Sequence, residues 1–188
     1  MRDDGSLKSV TGTCGPGVYR GGLLPAPFLG NAFVPEPCGN LVKRFTMSET
    51  DGIVKATNTA KSTEFLTSTD ERFRPVNACN GPDGALYLVD MYRGIIQHQS
   101  FLTHYLIANI QARKLEQPFN MGRIWRIVPE GSNAKPVKVT KDAKLLTHAN
   151  GWVRDTAQRL IVESADASAV PALKELLQND SQIGRAHV

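Results

Sequence analysis

Two aspartates flank one short apolar run, and the loop that follows it carries a tyrosine and an arginine. Asp83 and Asp90 bracket Ala85-Leu86-Tyr87-Leu88-Val89. With Glu36 they could supply oxygen ligands to calcium, which prefers carboxylates and carbonyls. Turn formation explains Asp83 better, because an Asp can bond its own backbone two residues on. Asp90-Met91-Tyr92-Arg93-Gly94 leaves the run into a loop, the usual location of functional side chains on a rigid scaffold, so Asp90, Tyr92 and Arg93 are candidate site residues. Tyr92 and Arg93 could equally stack against a following helix. His98 and His104 are six positions apart, whereas a zinc pair on one helical face needs three or four. No nearby Cys or Asp completes a set, so they read as hydrogen-bonded surface histidines and no metal site is expected there.

Cys14, Cys38 and Cys79 lack metal-ligand spacing, and there is no C-x-x-C or C-x-x-C-H. In an exported protein Cys14 could pair with Cys38 and leave Cys79 single; buried free thiols are the alternative.

These residues need elements to position them. In Gly81-Pro82-Asp83-Gly84, Pro82 presets φ, Asp83 closes on its own backbone and Gly84 supplies a positive φ, which predicts a hairpin between the strand before it and Ala85–Val89. The apolar second strand is expected to have both faces covered. Residues 1 to 47 read as short strands with turn-rich connections, among them the Asp4-Gly5 and Cys38-Gly39-Asn40 turns. Leu41, Lys43, Phe45 and Met47 share one strand face, and Ile53-Val54-Lys55-Ala56 continues the β pattern. From Ser100 to Glu116, Phe101, Leu102, Tyr105, Leu106, Asn109 and Ile110 recur at helical spacing, with Ser100 as N-cap and Pro118 as the stop. Met121 to Pro129 reads as a strand.

Composition changes beyond it. Residues 141 to 180 hold one glycine and one proline, where the rest of the chain is rich in both. Lys141 to His148 reads as a short helix. Asn150 caps a second, whose apolar face is Trp152, Val153, Thr156, Ala157, Leu160 and Ile161; Val170, Leu173, Leu176 and Leu177 mark a third, with Pro171 in its first turn. Two short helices with one-sided apolar faces suggest one unit of a helical repeat. The expected fold class is mainly β with an α tail, the terminal blades of a β-propeller followed by a HEAT-like helical hairpin. Residues 1–130 would form the end of the propeller, with a helical insertion about 98–117. Residues 131–140 would link it to the start of the repeat at 141–182.

The ends carry their own expectations. Met1 to Leu7 reads as the middle of a hairpin, and residues 183–188 (IGRAHV) are what the start of a common sequencing adapter would encode, so both ends read as cut. The net charge of +4 is spread along 188 residues with no run of five like charges, which indicates neither a nucleic-acid tail nor a polybasic membrane patch. No apolar run approaches the roughly twenty residues of a bilayer-spanning helix.

The ordered set YRGG at Tyr19, GNAFVPEPCGNLVKR from Gly30, STDERFRPV from Ser68, GPDGALYLVDMYRGIIQH from Gly81, GRIWRIVPEG from Gly122 and NGWVRDTAQRLIVE from Asn150 resembles one family. These are the membrane-bound or exported dehydrogenases of environmental bacteria. They join a propeller similar to glucose and sorbosone dehydrogenases to HEAT-like repeats, often with a terminal cytochrome c domain. The resemblance implies oxidation of a sugar or alcohol with pyrroloquinoline quinone. Electrons would pass to a haem c on a domain outside this chain, in a periplasmic or exported protein. It also implies a role for Arg72 and Arg74, which stand where an Arg-x-Arg pair holds the anionic quinone in such dehydrogenases. Guanidinium forks bind carboxylates bidentately, and strand alternation would point both the same way. They could instead pair with Asp70, Glu71 or Asp90 as a surface or inter-blade network. The family's preceding-blade lysine is replaced in Phe33-Val34-Pro35-Glu36-Pro37-Cys38 by Glu36 or Cys38, and its catalytic histidine, expected from an early blade, would lie outside this chain. The rival expectation is a non-catalytic propeller and HEAT scaffold that binds glycans or a protein partner.

Overall fold

The structure, a computed structural model, describes residues 12–60 and 63–179. The Asp4-Gly5 turn and residues 183–188 lie outside the described residues. The described chain is β-rich with a helical tail: two sheets built from eight strands, then helices. It divides into two compact units. One draws on residues 12–18, Gly30–Cys79 and Tyr87–Arg126; the other draws on Tyr19–Leu29, Asn80–Leu86 and residues 127–179.

In the first sheet β1 (Gly17–Val18), β2 (Ala32–Glu36), β3 (Leu41–Thr50) and β4 (Ile53–Asn58) lie in sequence order, and β5 (Leu66–Thr67) also pairs with β3. All pairings are antiparallel. Glu36 opposes Leu41, so the predicted Cys38-Gly39-Asn40 turn lies within a four-residue loop that ends on Asn40 at φ 55°. Thr50 opposes Ile53 across Asp51-Gly52, both at positive φ. That is the two-residue geometry whose twist matches paired strands, and an Asp-Gly pair is suited to it. The resulting hairpin is solvated, with Ile53 72 % exposed. In β3 the fully buried residue is Val42, on the face opposite Leu41, Lys43, Phe45 and Met47. Phe33 packs edge-to-face on Phe65 at 4.7 Å.

β6 (Pro75–Asn80), β7 (Leu86–Asp90) and β8 (Arg123–Ile127) form the second sheet in that order. The connecting turn closes through the Gly84 N–H donating to Gly81 O at 3.0 Å and the Ala85 N–H donating to Asp83 Oδ1 at 3.1 Å. Gly84 stands at φ 81°, and a Cβ there would meet Gly21 O, so both conformation and space require glycine. One face of β7 is buried through Leu86, Leu88 and Asp90, while Tyr87 and Val89 are half-buried. Full cover of both faces was expected, and the strand instead shows the alternation of a sheet more solvated on one side.

Helix boundaries shift where local side-chain bonds compete. The first helix, α1, is His104–Arg113 and is capped by Thr103, whose Oγ1 accepts the Leu106 N–H at 3.2 Å. Ser100 does not cap it. His98 Nδ1 accepts the Ser100 N–H and closes a separate single turn at Gln99–Phe101, which leaves Phe101 and Tyr105 exposed. Only Ile110 of this helix is buried.

In the second unit the expected 141–148 helix is a tighter turn at Ala143–Thr147, capped by Asp142. It is followed by α2 (Gly151–Ser164) and α3 (Val170–Asn179). Asn150 caps α2 as its sequence position predicts, accepting the Trp152 N–H at 3.0 Å, and its Nδ2 donates to Gly81 O at 2.9 Å. Val153, Ala157 and Ile161, four residues apart, form the buried stripe of α2. Tyr19, fully buried, donates from its hydroxyl to Gly84 O at 2.6 Å and accepts the Leu23 and Leu24 N–H groups.

Candidate functional site

The end of β7 and the segments before β6 and β8 bring the candidate residues together within one unit. Asp90 is the hub. Its Oδ1 accepts the backbone N–H groups of Arg74 and Tyr92, each at 2.8 Å, and its Oδ2 accepts the indole N–H of Trp125 at 2.9 Å. It is 1 % exposed, so these three donors replace the water that a buried carboxylate would otherwise lose.

Arg72 and Arg74 do not sit in a strand. Arg72 lies in a turn and Arg74 in the extended residue before β6, so alternation does not set their directions. Arg74 donates from Nε to Arg93 O at 3.0 Å, from Nη1 to Pro37 O at 2.6 Å and from Nη2 to Gly94 O at 3.0 Å. Burial holds its guanidinium below the usual arginine range, against the opposing charges of Cys38, Glu71, Asp70 and Asp90. Arg72 donates from Nε and Nη2 to Gln117 O, and from Nη2 to Lys114 O at 2.8 Å, where α1 ends. Among the described residues its Nη1 has no hydrogen-bond partner. The two side chains therefore staple the loops at 93–94 and 114–117. The sequence offered no sign of this, because the acceptors are backbone carbonyls remote in the chain. Gly94 permits the close fit: a Cβ there would lie 2.7 Å from Leu115 Cβ.

Tyr92 stands in the left-handed region at φ 47°. Its hydroxyl donates to Asp70 Oδ2 at 2.8 Å, and the Arg123 guanidinium lies 3.6 Å from its ring centroid and 5.8 Å from that of Trp125. The hydrogen bond to Asp70 raises the Tyr92 hydroxyl above its ordinary range, with burial and the Asp70 charge adding to it and Arg123 and Arg72 opposing. For Asp70, burial is the largest single influence and raises it. The Arg72 N–H, the Tyr92 hydroxyl and the charges of Arg72 and Arg123 together outweigh burial and hold the carboxyl below the usual range. Arg93 is exposed, with its guanidinium 4.9 Å from the centroid of Phe119.

Tyr92 and Arg93 thus stack on Arg123 and Phe119, both C-terminal to α1. Asp70, Phe119, Arg123 and Trp125 join the site without having been candidates. Of these, Asp70 was visible as a possible partner of the arginines, and Arg123 and Trp125 as residues alternating with Ile124 in a short strand; Phe119 left no signal. Trp125, Phe119, Met91 and Met121 are each more than a third exposed.

Among the described residues no group of three or more His, Cys, Asp or Glu is placed to hold a metal ion. Asp83 is engaged by its own turn. Glu36, buried, accepts the Gly12 N–H with both oxygens. No helix among the described residues is long and apolar enough to cross a membrane.

No curated protein and no solved structure matches the chain. A family model does, over residues 1–131, and by that match the chain belongs to the family described as a domain of unknown function, DUF7133.

Proposed function

We propose that this chain is part of a non-catalytic binding scaffold, with the end of a β-propeller in its β-rich part and a HEAT-like hairpin in α2 and α3. Its ligand is a glycan carrying carboxylates, bound at the Tyr92–Arg123–Trp125 cluster. The observation that carries this reading is the stacking of Arg123 on Tyr92 beside a partly exposed Trp125 whose indole N–H is anchored on Asp90. A fixed indole offers a flat apolar face to the C–H surface of a sugar ring, at little entropic cost on binding. Arg123, Arg93 and the open Nη1 of Arg72 supply cations for carboxylates.

The dehydrogenase reading rests on the sequence resemblance. The arginine geometry favours the scaffold: the Nε and Nη2 edge of Arg74 is already spent on Arg93 O and Gly94 O, and by the family resemblance Glu36 or Cys38 takes the place of the lysine that would complete a cradle for a tri-anionic quinone. The residues present therefore fit that cofactor poorly. Titration with neutral and uronate-containing oligosaccharides, followed by tryptophan fluorescence, tests the proposal. Saturable binding restricted to the acidic sugars, and weakened by salt, is the expected result; equal indifference to both classes refutes it.

A further inference from the structure

The geometry points to a reversible disulfide between Cys14 and Cys38, formed by exchange with the disulfide of a small thiol and tying the chain before β1 to the β2–β3 loop. Both sulfurs converge on Gly12. Cys14 Sγ lies 3.5 Å from Gly12 O, and Cys38 Sγ lies 3.1 Å from the place a Cβ would occupy on Gly12. The backbone is fixed around them. The Cys14 N–H donates to Pro35 O at 2.9 Å, three residues before Cys38, and the Gly12 N–H is held by Glu36 at 3.0 Å, two residues before it. The absence of a side chain on Gly12 leaves the space into which either sulfur turns.

The two thiols are unequal, which sets the order of attack. Cys38 is exposed and Cys14 half-buried. Burial, then the charges of Glu36 and Cys38, push the Cys14 thiol up. Cys38, as thiolate, attacks one sulfur of oxidised glutathione; a Cys38–glutathione bond forms and one glutathione thiolate leaves. Glutathione bonded to Cys38 removes that thiolate charge from beside Cys14. Cys14 then loses its proton to solvent and attacks Cys38 Sγ, expelling the second glutathione thiolate. Two cysteine thiols are oxidised, one glutathione disulfide is reduced, and the two protons end on the released thiols. Cys79, in β6, takes no part in this bond and stays reduced.

Incubation with oxidised glutathione, acid quenching and peptide mapping without reduction tests this. Expected are the loss of two hydrogens from the intact mass, a linked peptide containing Cys14 and Cys38, and a fall from three free thiols to one, reversed by dithiothreitol. Cys79→Ser should close the same bond, and Cys14→Ser should stop at the glutathione adduct on Cys38. An adduct on Cys38 that persists in the unaltered chain, a bond that includes Cys79, or three unreacted thiols overturns the proposal.

Discussion

Asp90 Oδ2 accepts the indole N–H of Trp125 at 2.9 Å, while Oδ1 of the same buried carboxylate accepts the backbone N–H of Arg74. One side chain therefore sets both the tryptophan face and the segment that carries the arginines. Asp90→Asn keeps one oxygen and turns an amide N–H₂ toward a donor, stranding either the indole or the backbone pair. The expected cost is about 1–3 kcal/mol in denaturant unfolding. A midpoint unchanged from that of the unaltered chain would refute the hub.

Arg74→Lys keeps the charge and loses the fork. A single ammonium cannot reach Arg93 O, Pro37 O and Gly94 O together, so the substitution should free residues 91–94 and raise their amide exchange without unfolding the sheets. If exchange at Arg93 and Gly94 stays at its original rate, the stapling role is wrong.

Gly94→Ala should act on the same loop from the other side, because the added methyl meets Leu115. The neighbours there include backbone, which yields poorly, and a loss of about 1–3 kcal/mol follows. Thermal unfolding of the variant measures it.

The Tyr92–Asp70 hydrogen bond needs a neutral phenol and an ionised carboxylate. Asp70 is depressed, so its contribution is full above its unfolded value and is lost as pH falls through its folded value. Tyr92 is raised, so its contribution is full below its unfolded value and is lost as pH rises through its folded value. Stability should therefore fall at both ends of the pH range, and Tyr92→Phe should remove the alkaline decline attributable to this residue. A Tyr92→Phe profile parallel to the original at high pH would count against the assignment.

Asn150→Ala removes the α2 cap and leaves Gly81 O without that donor. Both ends of the side chain are used, so the loss should be about 1–3 kcal/mol. Asn150→Asp retains the cap alone and should recover part of it.

Local chemistry was legible in the sequence wherever a few adjacent residues decide the outcome. The Gly81–Ala85 turn follows from Pro82, Asp83 and Gly84, and the start of α2 follows from Asn150. The Asp51-Gly52 hairpin was equally available from its residue types, but the polar alternation of β3 past Met47 gave no apolar strand to attach it to. The start of α1 moved because His98 bonds the Ser100 N–H, a competition that periodicity does not register. In the site, Asp90, Tyr92 and Arg93 stood out by their exit from a strand. Asp70, visible only as a possible partner of the arginines, and Trp125, visible only as a strand residue, did not stand out as site residues, because their bonds to Tyr92 and Asp90 are fixed only by tertiary pairing. Arg72 and Arg74 were visible as a pair, but what they hold consists of carbonyls, which every residue has.

The most direct test of the account is isothermal titration of the protein and of its Trp125→Ala variant, with a uronate oligosaccharide and separately with pyrroloquinoline quinone plus calcium. The account predicts that the original chain binds the oligosaccharide, that the variant, which loses the indole donor to Asp90 and about 1–3 kcal/mol of stability but still unfolds cooperatively, loses at least tenfold in affinity at a temperature where it is folded, and that the quinone gives no saturable heat. Stoichiometric quinone binding, with no response to any glycan, would contradict it and return Arg72 and Arg74 to cofactor contacts.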